Sequence, residues 1–292
     1  VPAATARLAS FDARLGADPR PRHGRVTESY RHAAVVELEG GGLVLLTHDR
    51  PLVPWGVSLP EEAPLPGPGS HLLLEGARLC LAEPGREEDT FFFEGVGQDL
   101  FVPCREEALH ARQWSWQAWA ELPPRTRELL QPGGRQTEPA VPTAAPSLTF
   151  AQRELALLSS TLQELLSSVL VLDGAPDMTE PVRRLVGLGR GSTPSGDDLL
   201  TGASAAARAT GRAGARALCA CLSDLPCGLT TPAGHAMLGE AARGFYPAPL
   251  AAAARALPGL DPDQLKALAS LGATSGADML AGFLATLEEP HA

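Results

Sequence analysis

The stretch Gly187-Leu188-Gly189-Arg190-Gly191-Ser192-Thr193-Pro194-Ser195-Gly196-Asp197-Asp198-Leu199-Leu200-Thr201-Gly202 decides how the C-terminal half is read. Gly187, Gly189, Gly191 and Gly196 permit backbone shapes that other residues resist, so the first part is a loop. From Gly202 to Cys221 the chain is dense in alanine, a strong helix former, so the loop opens a helix. Small residues let helices approach closely, and the expected structure is a compact bundle rather than a sheet. Eighty residues after Ser195, the stretch Gly272-Ala273-Thr274-Ser275-Gly276-Ala277-Asp278-Met279-Leu280-Ala281-Gly282 repeats the pattern Ser-Gly-x-Asp-x-Leu-x-Gly. Thr231-Pro232-Ala233-Gly234-His235-Ala236-Met237-Leu238 is a weaker echo. Two close copies imply either an internal duplication or two faces of one site.

Outward from this loop, Leu155, Leu158, Leu162, Leu165, Leu166 and Val169 recur at helical spacing. Asp263–Ser270 and Gly276–Glu288 read as two further helices. Pro123, Pro124, Pro132, Pro139, Pro142 and Pro146, with Gly133 and Gly134, mark a linker. Before it, Glu106–Leu122 reads as a helix whose Trp114, Trp116 and Trp119 contribute buried area. The first hundred residues alternate as strands. Ala33–Leu38 and Leu43–Thr47 flank a glycine turn, and His71–Leu74 and Arg78–Leu81 flank Glu75-Gly76-Ala77. Thr90–Phe93 and Asp99–Val102 read as shorter strands. The predicted class is α+β: an N-terminal antiparallel β-sheet or small barrel, followed by a mostly α-helical domain. The expected boundaries are a β-rich domain over 1–122, a linker over 123–147 and a helical domain over 148–292.

Composition removes several function classes. The formal net charge is −10, which gives no electrostatic support to nucleic-acid or anionic-membrane binding. No apolar run reaches the roughly 18 residues of a membrane span. The N-terminal stretch Val1–Arg7 lacks the apolar core of a signal peptide. Of 24 basic residues the lone lysine is Lys266, on what reads as an exposed helix face. Pyridoxal chemistry, biotin carriage and Walker-type nucleotide hydrolysis are therefore disfavoured. The 5 cysteines form no framework spacing and read as reduced thiols of a cytoplasmic protein. Cys219-Ala220-Cys221 does not match the usual spacing of a zinc site.

The repeated motif has two readings. In the structural one, Ser195 and Ser275 each begin a helix as caps, and Asp198 and Asp278, three residues on, complement the positive helix end. Gly202 and Gly282, two turns in, then permit close helix contact. In the functional one, the extra glycines let a ligand approach main-chain N–H groups at a helix start, a ready anion site. Arg190 adds a charge-assisted contact to a phosphate or carboxylate. The pattern is not the dinucleotide fingerprint, because its third glycine spacing is wrong. Asp197 and Asp198 would repel a bare anion. One acid faces away and only caps, or a Mg²⁺ bridges acids and ligand, or an aspartate accepts from an amide on the ligand. No nucleophile–base pair is visible; His110 and His235 are lone histidines.

The loop resembles the signature of the AllH-like family. The family's Gly-Leu-Gly-x-Gly-x-Thr-Pro-Ser-Gly-Asp-Asp-x-Leu-x-Gly is matched from Gly187 to Gly202, and its later Thr-Ser-Gly-x-Asp-x-Leu-x-Gly from Thr274 to Gly282. Thr230-Thr231 and Ala241–Phe245 fall in a similar intervening segment. Arg190 stands where the family often has proline, and Ala273 where it often has histidine. The family, formerly labelled a putative carboxylase, is associated with oxamate carbamoyltransferase, beside FdrA-type and AllG-type subunits. The resemblance implies phosphorolysis of oxalurate to oxamate and carbamoyl phosphate, in purine and allantoin degradation. The candidate substrate-binding residues are Gly189, Arg190, Gly191, Ser192, Thr193, Ser195, Gly196, Thr274, Ser275 and Gly276, and the candidate catalytic acids are Asp197, Asp198 and Asp278. The small anionic substrate would be phosphate or an oxamate-like molecule. The alternatives are a non-catalytic partner subunit with a structural loop, or a stand-alone carboxylase-like enzyme.

Overall fold

The computed structural model describes residues 7–17, 19–31, 33–48, 53–60, 63, 65–84, 86–105, 122–130, 150–169 and 177–287. The chain divides into two compact units, Val1–Leu100 and Phe101–Ala292. The first contains β1 (Arg7–Asp12), α1 (Ala13–Ala17), β2 (Arg22–Ser29), β3 (Ala33–Leu38), β4 (Leu43–His48), β5 (Gly56–Leu59), β6 (His71–Glu75), β7 (Arg78–Glu83) and β8 (Arg86–Gln98). These form a closed barrel in the order β1-β5-β4-β3-β2-β6-β7-β8. Side chains alternate across a strand, so Ala34, Val36 and Leu38 of β3 turn inward while Glu37 stays exposed. Phe11, Leu46, Val57, Leu72, Leu74 and Phe93 join them in the barrel core.

Both predicted hairpins form, with Val36 opposite Val44 and Leu73 opposite Cys80. The sheet is not wholly antiparallel. β4 pairs β5 in parallel, and β1 closes the barrel by running parallel to β8. Hairpin reasoning sees only neighbours in sequence, whereas the closing pair joins the first strand to the last. Thr90–Phe93 belongs to the long strand β8, and Asp99–Val102 is not a strand of this sheet. Phe101 instead makes an isolated bridge to Phe245 within the second unit.

The second unit contains α2 (Pro124–Leu130), α3 (Phe150–Val169), α4 (Thr179–Leu185), α5 (Ser195–Thr210), α6 (Ala215–Ser223), α7 (Pro232–Arg243), α8 (Ala248–Ala256), α9 (Pro262–Ala269) and α10 (Ser275–Leu287). The start of the Pro-rich stretch, residues 123–130, contains α2, which buries Thr126, Leu129 and Leu130. A proline at the first helical position costs no hydrogen bond, so Pro124 opens a helix here rather than a loop. The helix expected from Glu106, with its three tryptophans and His110, lies outside the described residues. On α3, Leu158, Leu162, Leu165, Leu166 and Val169 are buried, as their spacing predicts.

α5 is buried on every face except at Arg208, the pattern of a central helix, and α10 lies beside it. Their axes approach closely because both crossing points are glycine. A Cβ on Gly202 would lie 1.9 Å from the Met279 carbonyl oxygen, and one on Gly282 would lie 2.1 Å from that of Leu199. Side-chain caps fix the starts of α7 and α9. Thr231 accepts the Gly234 N–H at 2.9 Å, and Asp261 and Gln264 form a reciprocal capping box. No helix among the described residues is long and apolar enough to cross a membrane.

Candidate functional site

The two Ser-Gly-x-Asp-x-Leu-x-Gly segments meet as halves of one pseudo-symmetric unit. The glycine that ends each motif packs on the carbonyl of the fifth residue of the other: Gly202 on Met279, Gly282 on Leu199. The second residue of each packs on the helix before it. A Cβ on Gly196 would lie 1.9 Å from the Leu185 carbonyl oxygen, and one on Gly276 would lie 2.1 Å from that of Leu268. Their N–H groups match too: Gly196 donates to the Leu188 carbonyl and Gly276 to that of Leu271, each at 2.8 Å. The fourth residues, Asp198 and Asp278, donate their N–H groups to the Pro194 and Thr274 carbonyls at 3.1 and 3.0 Å. The repeat in the sequence is therefore a repeat in space.

Ser195 does not act as a cap. Pro194 occupies the N-cap position of α5, with no side-chain cap, so Ser195 already lies inside the helix and its hydroxyl faces a neighbour. That neighbour is Arg125 of α2. Its Nη2 donates to Ser195 Oγ at 2.8 Å and to Asp278 Oδ2 at 3.1 Å, while its Nε donates to Asp278 Oδ1 at 2.5 Å. The guanidinium thus bridges the serine of one motif and the acid of the other. Its fork geometry suits a carboxylate. On the opposite side, the Ser275 hydroxyl lies 3.0 Å from Thr193 Oγ1, which donates weakly to Asp198 Oδ2 at 3.4 Å.

The three acids are fully buried but differ in their partners. Asp197 is committed to the fold: Oδ1 accepts the Gly187 N–H at 2.8 Å and Oδ2 accepts the Thr230 hydroxyl at 2.5 Å. It ties the start of the loop to the segment before α7. Burial pushes its carboxyl above the usual range, against the pull of those two donors. Asp278 is likewise raised by burial and pulled back by Arg125. Asp198 is raised furthest, by burial first; the Ser275 and Thr193 hydroxyls pull it back, and the neighbouring charges of Asp278 and Asp197 add to the rise. Its Oδ1 has no hydrogen-bond partner among the described residues.

A carboxyl raised on folding favours the folded state while protonated in both states. That contribution is present below the ordinary aspartate value of about 3.9 and is lost as pH climbs through the folded value. Asp198→Asn removes the penalty and keeps the shape. The variant is expected to be more stable than the wild type at pH 7, with the gap closing as pH falls toward 4. Urea unfolding at a series of pH values measures this; a gap that widens on acidification contradicts it.

The loop itself divides. The N–H of Leu188 donates to the Leu185 carbonyl, and those of Gly196, Asp197 and Asp198 also go to protein carbonyls. Among the described residues, the N–H groups of Gly189, Gly191, Ser192 and Thr193 have no protein acceptor. Gly189 and Gly191 have φ of 118° and 105°, a region that side chains resist. A Cβ on Gly189 would also lie 2.7 Å from Ser195 N. The Thr231 hydroxyl donates to the Ser192 carbonyl and holds the tip against α7. Arg190, Gly191 and Ser192 are exposed, and so is Thr274.

Of the acids expected to meet a Mg²⁺, Asp197 has both oxygens engaged and Asp198 keeps one. Among the described residues no three His, Cys, Asp or Glu side chains gather as a metal site. His235 is not isolated: its Nε2 lies 3.8 Å from Cys227 Sγ. Sequence reasoning missed Arg125. Its only signal was an Arg-Thr-Arg-Glu-Leu-Leu run directly after two prolines.

No curated protein and no solved structure matched the chain. The stretch from the end of α4 to the end of α10, residues 185–287, matches the model of the family described as Oxamate carbamoyltransferase subunit AllH, the family that the loop resembles.

Proposed function

We propose that this chain is a subunit of a carbamoyl-transfer enzyme and holds a small anion on the N–H groups of Gly189, Gly191, Ser192 and Thr193. The observation that supports this reading is the contrast within one loop: the N–H groups on its flanks are bound by protein carbonyls, while those at its tip are not. Main-chain N–H groups at the start of a long helix attract negative charge. Arg190, exposed in the same tip, adds a cation. The family match over 185–287 supplies the reaction class. Phosphate attacks the carbamoyl carbon of oxalurate, the bond to the oxamate nitrogen breaks, and that nitrogen takes a proton. The loop's contribution would be positioning and stabilisation of developing negative charge. The other subunits would be of FdrA and AllG type.

Reconstitution tests this. The chain assembled with those subunits should form carbamoyl phosphate from oxalurate and phosphate. Gly191→Val should cut the rate at least ten-fold while the complex still assembles. An assembled variant with full activity would refute the role of the loop.

A second reading has its own support. Asp197 anchors the loop at one end, Thr231 at its tip, and Arg125 neutralises Asp278. This rigid frame also suits a non-catalytic subunit. That reading expects assembly without anion binding by the isolated chain.

A further inference from the structure

We propose that Asp198, with the hydroxyls of Thr193 and Ser275, is a binding site for a guanidinium group. The internal pseudo-symmetry of the two motifs supports this site independently of any anion at the loop tip. In one half of the unit, the acid of one motif and the serine of the other, Asp278 and Ser195, are bridged by a guanidinium through three N–H donors. The mirrored pair is Asp198 and Ser275. Backbone contacts place the two pairs equivalently: Gly202 and Gly282 cross reciprocally, and Asp198 and Asp278 stand at the same position of their helices.

The mirrored half has a different inventory. Asp198 is fully buried and its Oδ1 has no hydrogen-bond partner among the described residues. A buried acceptor left unpaired is costly, and native proteins rarely keep one without use. Its neighbours Thr193 and Ser275 are only partly buried and carry neutral hydroxyls, which can turn to accept as well as donate. Ser192, next to Thr193 in the chain, is exposed, so the site lies next to solvent. One carboxylate flanked by two hydroxyls suits a planar cation with several N–H donors. It is a thin donor set for a metal ion that prefers oxygens in an octahedron. The guanidinium comes either from a small guanidino compound or from an arginine of another chain.

Titrate methylguanidinium chloride into the full-length chain by calorimetry, at concentrations too low to denature. One saturable site is expected, weakened at least ten-fold by Asp198→Asn and several-fold by Ser275→Ala. Both variants should keep the wild-type circular dichroism. The same titration on the chain in its native complex separates the sources. Retained binding assigns the site to a small molecule, and lost binding to a partner's arginine. No saturable binding, equal binding by Asp198→Asn, or tighter Asp198-dependent binding of Mg²⁺ would overturn the proposal. Failure of phosphate to bind would count against the anion reading alone.

Discussion

Gly202→Ala is expected to destabilise the helical unit by about 3 kcal/mol, at the upper end of what overpacking one methyl group costs. The added Cβ would lie 1.9 Å from the Met279 carbonyl oxygen, 2.8 Å from its carbon and 2.9 Å from Phe283 N. All three are backbone atoms of α10, so no side chain can swing aside. The helices must separate instead, and that loosens a core packed on both sides of them. Gly282→Ala meets the same obstacle from the other side, 2.1 Å from the Leu199 carbonyl oxygen. The double variant should lose less than the sum of the two, because the first methyl group opens the gap the second enters. Gly239→Ala is the control: it lies in α7, a Cβ there would meet nothing within 4 Å, and the change should gain about 0.4–1 kcal/mol. Urea midpoints followed by circular dichroism measure all four. A cost below about 0.5 kcal/mol for Gly202→Ala would mean the helices do not touch there.

Arg125→Met should cost about 3 kcal/mol at pH 7. It keeps the aliphatic stem but leaves Asp278, fully buried, without its counter-ion. The low end of the range for breaking a buried pair applies, because the Arg125 side chain is 32% exposed and water screens part of the attraction. Asp278 is already held above the usual carboxylate range by burial; losing Arg125 raises it further. The loss should therefore shrink as pH falls toward the unfolded carboxyl's value of about 3.9, where Asp278 is protonated in both states. Adding Asp278→Asn should recover most of the stability at pH 7, since an amide needs no counter-ion. A loss that grows on acidification, or no recovery in the double variant, would remove the bridge from the account.

Local signals in the sequence carried the helical half well. Loop, helix start and close-contact glycines all followed from Gly187–Gly202 and its repeat, because each depends on residues near it in the chain. What the sequence hid was distance. The Ser-x-x-Asp spacing suggested local caps, yet Pro194 takes the cap position, and Ser195 and Asp278 instead meet through Arg125, 153 residues before Asp278. The same limit applied in the barrel. Its hairpins were legible, but the parallel closure of β1 on β8 joins segments some 80 residues apart. The three acids looked alike as letters; only their partners separate Asp197, locked to Gly187 and Thr230, from Asp198 with its unpaired oxygen.

The proposed hold of the loop tip's main chain on negative charge is tested by thermal unfolding of the full-length chain against phosphate, oxamate and carbamoyl phosphate, each with and without Mg²⁺. At one hundred times the dissociation constant, a single site adds about 2.7 kcal/mol of stability. At least one of these anions should raise the midpoint, and Gly191→Val should abolish that rise while losing less in its own unfolding midpoint. No shift with any anion, or a Gly191→Val variant stabilised as much as the wild type, would contradict it.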